Sequence, residues 1–472
     1  DDPVFREKAV FFCRAIMDNL DRLEREGRRT KLLPVDLNAA WILSALGNAY
    51  EFLYAELDAG DRDRIRSRML RELDVQEKYG WFQPVTRTEP GNTLASRNNH
   101  VWMRFYGLYL AATVLRRDLP QERYDLFRNR AREFFEAVAL PALPRDGSSQ
   151  ESAWYALFAD WSLVRYLEIR RHEGVNLYRA VPHLARAMDY QLSLVEPGSG
   201  LAVNPGDWNR DAGPFGHGFL LSRLADEFTR RDWQAAARRI LPSLEIDPLA
   251  RLLWDNPDLP AVPGRAGPAF FPDGGEAVVT FAGDPEKQYL YFTAWRERLN
   301  HSHPDLNSFL LYHQGNPLLV DHGYSYWKNT QEHNTLLVID GEGTQEVAHG
   351  QRGENTLFLF QGKSYDGART WEAHDFLRQG KLDDALCLPG LRYAHLTGEA
   401  AGAYDPALRI TRFDRHLTQV DRLIFLEDEV RSDLPHRYEI RFHNAISVPV
   451  PAEDRENRFG AVTHGPRTRL TV

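Results

Sequence analysis

Asn256-Pro257-Asp258-Leu259-Pro260-Ala261-Val262-Pro263-Gly264-Arg265-Ala266-Gly267-Pro268-Ala269-Phe270-Phe271-Pro272-Asp273-Gly274-Gly275 holds five prolines and four glycines. Proline removes a backbone donor and glycine adds chain freedom, so neither a helix nor a strand persists through such a run. The stretch 256–275 therefore reads as a linker. Before it, from residue 4 to about 250, the apolar spacing is helical. Phe5, Ala9, Phe12, Ile16, Leu20 and Leu23 recur every three or four residues with charges between them. Similar segments are expected near 36–57, 60–78, 98–117, 121–139, 150–173, 176–195, 215–230 and 232–242. Their breaks carry Pro, Gly or Asp, as in Pro141–Gly147 and Pro197–Gly200.

After the linker the period drops to two. Gln288–Ala294, Asn307–Tyr312, Pro317–Asp321, Asn334–Asp340, Leu357–Phe360, Leu408–Val420, Arg422–Val430 and Arg437–Val448 are rich in Val, Ile, Tyr, Phe and Thr. Strands joined by short connections, with no helical pattern between them, predict an antiparallel sheet, most simply a sandwich. The expected organisation is a helical domain 1–255, a linker 256–275 and a β domain 276–472. Successive helix pairs can stack as a bundle, a solenoid or a closed toroid, and periodicity does not choose among these.

A chain of 472 residues exceeds the size at which one core usually stops growing. Its composition, 43% apolar and 26% charged, is that of an ordinary globular protein. No run of about 18 apolar residues is present to span a membrane. The net charge of −9, with no basic block, argues against a nucleic-acid groove. An anionic sugar is not excluded, because a few placed cations suffice for one carboxylate. Two cysteines, Cys13 and Cys387, make no disulfide framework, and Cys13 falls on the apolar face of its helix.

Four segments carry polar residues that packing does not demand. Ser96-Arg97-Asn98-Asn99-His100-Val101-Trp102 opens a helix. It reads either as a cap or as a carboxylate receptor, where donors and the helix dipole converge. Asp146–Tyr155 places Glu151 and Tyr155 four apart, on one helix face. Asn204-Pro205-Gly206-Asp207-Trp208-Asn209-Arg210 reads as a turn, with Trp208 a candidate sugar-stacking rim. The most informative is Asn300-His301-Ser302-His303-Pro304-Asp305-Leu306-Asn307-Ser308-Phe309, followed by Asp321 and by His333-Asn334-Thr335. Pro304 forbids a regular central strand, so a bend can aim the two imidazoles apart. His303, Asp321 and His333, from neighbouring strands, are then candidates for a two-His, one-carboxylate metal site, with His313, His322 and His349 nearby competitors.

Together these motifs resemble the heparinase II/III-like polysaccharide lyases, among them oligoalginate lyases and heparinases, and the related dermatan sulfate epimerase. The strongest element is His301–Phe309, then Gly315-Asn316-Pro317-Leu318-Leu319-Val320-Asp321-His322-Gly323, then His333-Asn334-Thr335. The resemblance implies an incomplete α/α toroid followed by an antiparallel β-sandwich. It implies that Asn99 and His100 neutralise a uronate carboxylate, that Tyr155 and His301 handle protons, and that His303, Asp321 and His333 hold zinc, or manganese in some relatives. Arg97, Asn98, Trp102, Arg104, Glu151, Trp208 and Tyr326 are the expected substrate contacts, with Tyr324 the alternative to Tyr326. Some relatives carry a charged residue three positions after the first His, where this chain has Met103 beside Arg104.

The chemistry so implied is β-elimination on an acidic polysaccharide. Neutralising the carboxylate lets charge spread into an enediolate, and removing one such donor costs about 2.7–4 kcal/mol in the transition state. A uronyl C5-epimerase shares the proton abstraction, and a glycoside hydrolase would need a carboxylate pair, for which Glu151 and Asp207 are the nominees. A polymer substrate and a start at Asp1-Asp2-Pro3 fit a secreted or periplasmic protein whose signal peptide has been removed.

Overall fold

The computed structural model describes residues 3–27, 37–78, 99–149, 151–203, 205–207, 218–240, 254–264, 267–295, 301–325, 328–341, 346–351, 358–360, 363–365, 380–444, 461–464 and 468–471. The first part is helical: Pro3–Arg25, Leu37–Phe52, Ala59–Lys78, Asn99–Val114, Gln121–Arg132, Ala153–His172, Gly218–Phe228 and Arg231–Ile240. The segment expected as one helix over 176–195 is broken. It forms 3-10 turns at Tyr178–Ala180 and Pro182–Ala185, then a short helix Ala187–Ser193. Pro182 has no N–H to give and resets the hydrogen-bond ladder. Among the described residues no helix is long and apolar enough to cross a membrane.

The residues group into two compact units, Asp1–Ala142 with Phe158–Tyr178, and Leu143–Leu157 with Arg179–Val472. This grouping differs from a cut at 256–275, since residues 143–157 and 179–255 go with the sheets. Within the first unit, Tyr109, Phe127, Phe135 and Tyr166 are fully buried, and Phe135 stacks on Tyr166 with centroids 4.1 Å apart. Arg170 bridges Glu136 at 3.0 Å and Glu173 at 2.7 Å, while the Tyr166 and Tyr109 hydroxyls donate to the same two carboxylates. Cys13 is a buried free thiol, as its helix face predicts.

In the second unit β1 Ala269–Phe271, β2 Glu276–Val279, β3 Tyr289–Thr293, β4 Ser308–His313 and β5 Asn316–Leu319 form one antiparallel sheet in chain order. Next come β6 Leu336–Asp340, β7 Val347–His349, β8 Phe358–Phe360 and β9 Lys363–Tyr365. A four-stranded antiparallel sheet follows, of β10 Lys381–Leu388, β11 Tyr393–Glu399, β12 Ile410–Val420 and β13 Leu423–Ser432. β14 Arg437–Ile440 pairs with β6, and β15 Ala461–His464 pairs with β16 Thr468–Thr471. β12 starts two residues later than its pattern predicts, because Pro406–Leu408 is a 3-10 turn closed by Arg409 at φ 52°. The strand expected over Arg437–Val448 ends at Ile440: residues 441–444 are not strand, and 445–448 lie outside the described residues.

Both faces of the first sheet are covered, which explains its nearly unbroken apolar runs. Leu290, Phe292, Phe309 and Leu311 pack against Leu396 and Leu417 of the four-stranded sheet. Tyr289, Tyr291, Leu310 and Tyr312 pack on the other side against Tyr190, Leu194 and Val203. Each fully buried side chain of this size stabilises the fold by about 1.5–3 kcal/mol. Covering that second face draws the short helix Ala187–Ser193 into the sheet-bearing unit.

Candidate functional site

The segment 301–307 between β3 and β4 is irregular, as Pro304 requires. His301 and Asn307 both have left-handed backbones, φ 56° and 60°. Asn307 is held there by its side-chain amide, which donates to the carbonyls of Gly398 (3.0 Å) and Phe413 (3.1 Å). His301 is held by its carbonyl, which accepts the Asp207 N–H at 3.0 Å. Gly206, at φ 75°, permits that approach: a Cβ there would lie 2.8 Å from the His301 oxygen. The bend sends the two imidazoles to different partners.

His301 stacks flat on Tyr155, centroids 3.4 Å apart and planes within 9°. The Tyr155 hydroxyl lies 3.0 Å from that of Tyr324. Tyr155 stands in the first turn of the helix Ala153–His172, whose start is marked by the Ala156 N–H donating to the Ser152 carbonyl. Glu151 precedes this helix and so does not share a helical face with Tyr155, contrary to the four-residue spacing. It is 2% exposed and still reaches the same place, with Oε1 3.6 Å from His301 Nδ1. Burial, then the hydrogen bond to Tyr324, then the charges of Asp207 and Glu151 hold the Tyr155 phenol well above its ordinary pKa. It rests as a neutral proton donor.

His303 turns inward. The donor atoms of His303, Asp321 and His333 lie within 4.8 Å of one another, and all three residues are buried. His333 Nδ1 is 2.8 Å from Asp321 Oδ2, and His303 Nδ1 is 3.4 Å from Asp321 Oδ1. His303 Nε2 lies 2.9 Å from Asp207 Oδ1, and the other Asp207 oxygen accepts from Lys328 Nζ at 2.9 Å. Burial disfavours charge on His303, but Asp207 and Asp321 outweigh it and raise the ring to about 9. Burial likewise opposes charge on Asp321, and His333 and His303 reverse this, holding it below the usual carboxylate range. His303 Nδ1 and His333 Nε2 are buried without a hydrogen-bond partner among the described residues. Such nitrogens beside a carboxylate fit a divalent cation, since an unsatisfied buried polar atom is otherwise costly.

The remaining expected residues divide. Asn99, buried, and His100, half-buried, open the helix Asn99–Val114 of the first unit, where Arg104 Nε donates back to the His100 carbonyl at 3.3 Å. Trp102 corrects its expectation. It is 1% exposed and meets Phe134 and Phe135 edge-on, so it is a core side chain rather than a sugar contact. Arg97, Asn98, Trp208 and Tyr326 lie outside the described residues. Asp207 as a hydrolase carboxylate is also corrected, because it is 3% exposed and both oxygens are engaged by His303 and Lys328. Its real connections were missed in the sequence, where only the Pro205-Gly206-Asp207 turn hinted at them. The buried Lys328 left no signal at all.

Residues 264–470 match the family described as Heparinase II/III-like, C-terminal. That C-terminal part of the chain is heparinase II/III-like. No curated protein matches it in sequence. Among solved structures, the chain is similar to heparinase III, with TM-score 0.61 and 13% identity over 92% of this chain and 61% of that one. It is also similar to the heparan sulfate lyase HepC from Pedobacter heparinus, with TM-score 0.55 and 11% identity over 92% and 60%. The chain thus spans about three fifths of the length of these relatives. At such identities the likeness is one of fold: a helical first part and antiparallel sheets after it.

Proposed function

We propose that this chain is a polysaccharide lyase that cleaves a uronate-containing polymer by β-elimination, on an incomplete α/α toroid followed by a β-sandwich. The observation that carries the reading is the Tyr155–His301 stack, with Tyr324 at the phenol and Glu151 at the imidazole. Glu151 beside Nδ1 favours the tautomer with its proton there and leaves Nε2 as the basic nitrogen. His301 then takes the C5 proton of the uronate. The C4–O4 bond breaks as the C4–C5 double bond forms, and Tyr155, held neutral, delivers its proton to the departing O4. Asn99 and His100 are assigned to the substrate carboxylate, where donors at a helix start stabilise the developing enediolate.

His303, Asp321 and His333 would hold a divalent cation. Two imidazoles and a carboxylate suit zinc first and manganese second. Bound there, the ion would supply positive charge and pin three segments of the sheet-bearing unit. The solved relatives are named a heparinase and a heparan sulfate lyase, which favours a glycosaminoglycan over alginate as the polymer. Such a substrate is met outside the cytoplasm, in the periplasm or beyond.

The test is to incubate the protein with heparan sulfate, chondroitin, hyaluronan, alginate and ulvan and follow ultraviolet absorbance. An unsaturated uronate end is expected from one of them. Exchange of the C5 hydrogen without new absorbance would instead mean an epimerase, and no change with any polymer would refute both.

A further inference from the structure

Asp207 is joined to the segments that carry Tyr155, His301, His303 and Tyr324. Its N–H donates to the His301 carbonyl at 3.0 Å, and its carbonyl lies 3.4 Å from Ser152 Oγ, at the start of the Tyr155 helix. Oδ1 is 2.9 Å from His303 Nε2 and 3.4 Å from the N–H of Ser325, which follows Tyr324. Oδ2 meets Lys328 Nζ at 2.9 Å. A carboxylate 3% exposed and a lysine 2% exposed are tolerable together because each neutralises the other.

We propose that Asp207 is the positioning residue of this site, with Lys328 its counter-cation. By accepting from His303 Nε2–H, it forces Nδ1 toward Asp321 as the metal-binding nitrogen. By its backbone N–H it ties that ligand to the left-handed turn that presents His301 to Tyr155. A ligating imidazole is commonly oriented by a second carboxylate in this way, and losing that partner lowers metal affinity 10- to 100-fold. Gly206 is part of the device, since any Cβ there collides with the His301 carbonyl. The inference rests on the metal part of the proposed function and not on the substrate.

The experiment is zinc binding by the full chain, measured by competition with a chromogenic chelator and without polysaccharide. Asp207→Ala is expected to bind zinc 10- to 100-fold more weakly than the wild type. Asp207→Asn, which keeps an oxygen to accept from Nε2–H, should recover part of that loss. Equal affinity in folded Asp207→Ala and wild type would overturn the proposal, as would a wild type that takes up no zinc. Should Asp207→Ala fail to fold, the imidazole nitrogen resonances of zinc-loaded wild type decide. A His303 protonated at Nε2 and metal-bound through Nδ1 is expected, and the reverse tautomer overturns it. Weakened zinc binding together with no ultraviolet product from any polymer would sink the lyase reading and leave this one standing.

Discussion

Residues 301–351 and the sheet β10–β13 belong to the same compact unit but are built on opposite terms. In the sheet, β12 alternates in burial along its length and pairs with β13 from Arg412–Arg431 through Val420–Leu423. Its polar side chains satisfy one another across strands, His395 to Thr418 at 2.8 Å and Thr397 to His416 at 2.9 Å. In 301–351 the backbone turns left-handed at His301, Asn307 and Gln314, and Ser302, His303, Asp305, Asp321, Lys328 and His333 are all buried. Burying a polar group is unfavourable unless it finds a partner. A segment that gathers so many, and leaves nitrogens of His303 and His333 without one among the described residues, is organised around chemistry rather than packing.

The largest expected effect lies where the irregular segment meets the helix Ala153–His172, at the Tyr155–His301 stack. Tyr155→Phe and His301→Ala should each lower kcat/KM by about 10²–10⁴-fold, the usual range for a lost proton-transfer group. Melting temperatures should stay near that of the wild type. Full activity in both variants would remove the distinction between the two regions.

Arg415 is where the regular sheet reaches into the irregular one, so it tests how separable they are. It is fully buried, makes two 2.7 Å contacts with Asp428, and donates to the carbonyls of Asn307 and Asn334 at 2.6 Å each. Arg415→Leu strands a buried carboxylate and should cost about 3–5 kcal/mol in a denaturant titration. A second change, Asp428→Leu, should recover part of it. A cost under 1 kcal/mol for Arg415→Leu would mean the two regions are energetically independent.

This contrast also explains what the sequence disclosed. Strands such as β12 were readable because alternating burial writes itself into residue type, and the metal-type cluster because its motifs resemble those of a known family. Glu151 was placed on the wrong element, since the helix starts at Ala153 and spacing alone does not show where a helix begins. Trp102 was misjudged because a tryptophan near a polar motif looks the same whether it faces sugar or phenylalanine rings. Lys328 was invisible: a lysine is ordinarily solvent-exposed, and only three-dimensional proximity to Asp207 explains its burial. The grouping of 179–255 with the sheets was likewise hidden, because helical period reports a helix and not the surface it covers.

A smaller effect concerns acid stability. His183 is 4% exposed, and burial lowers its pKa from 6.5 to about 4, with its hydrogen bond to the Pro144 carbonyl opposing only in part. Between those values the unfolded chain takes up a proton that the folded chain refuses. Stability is therefore retained above pH 6.5 and falls as pH drops toward 4, by roughly 3 kcal/mol in total. His183→Asn, which keeps a donor for Pro144, should flatten that slope in urea titrations from pH 4 to 7. An unchanged slope would show that the imidazole is already charged in the fold.

The smallest effect belongs to the regular sheet, and it is the sharpest control. Leu423 opens β13 opposite Val420 and is 64% exposed, on a face that also shows Leu386, Leu388 and Phe425 to solvent. Threonine suits a strand as well as leucine does, and an exposed side chain of this kind leaves little packing to lose. Leu423→Thr should change stability by no more than about 0.5 kcal/mol and leave kcat/KM where it was. Were activity to fall several-fold with the melting temperature unchanged, the outer face of β10–β13 would be part of the working surface. The division between a sheet that only packs and a segment that does chemistry would then have to be redrawn along that face.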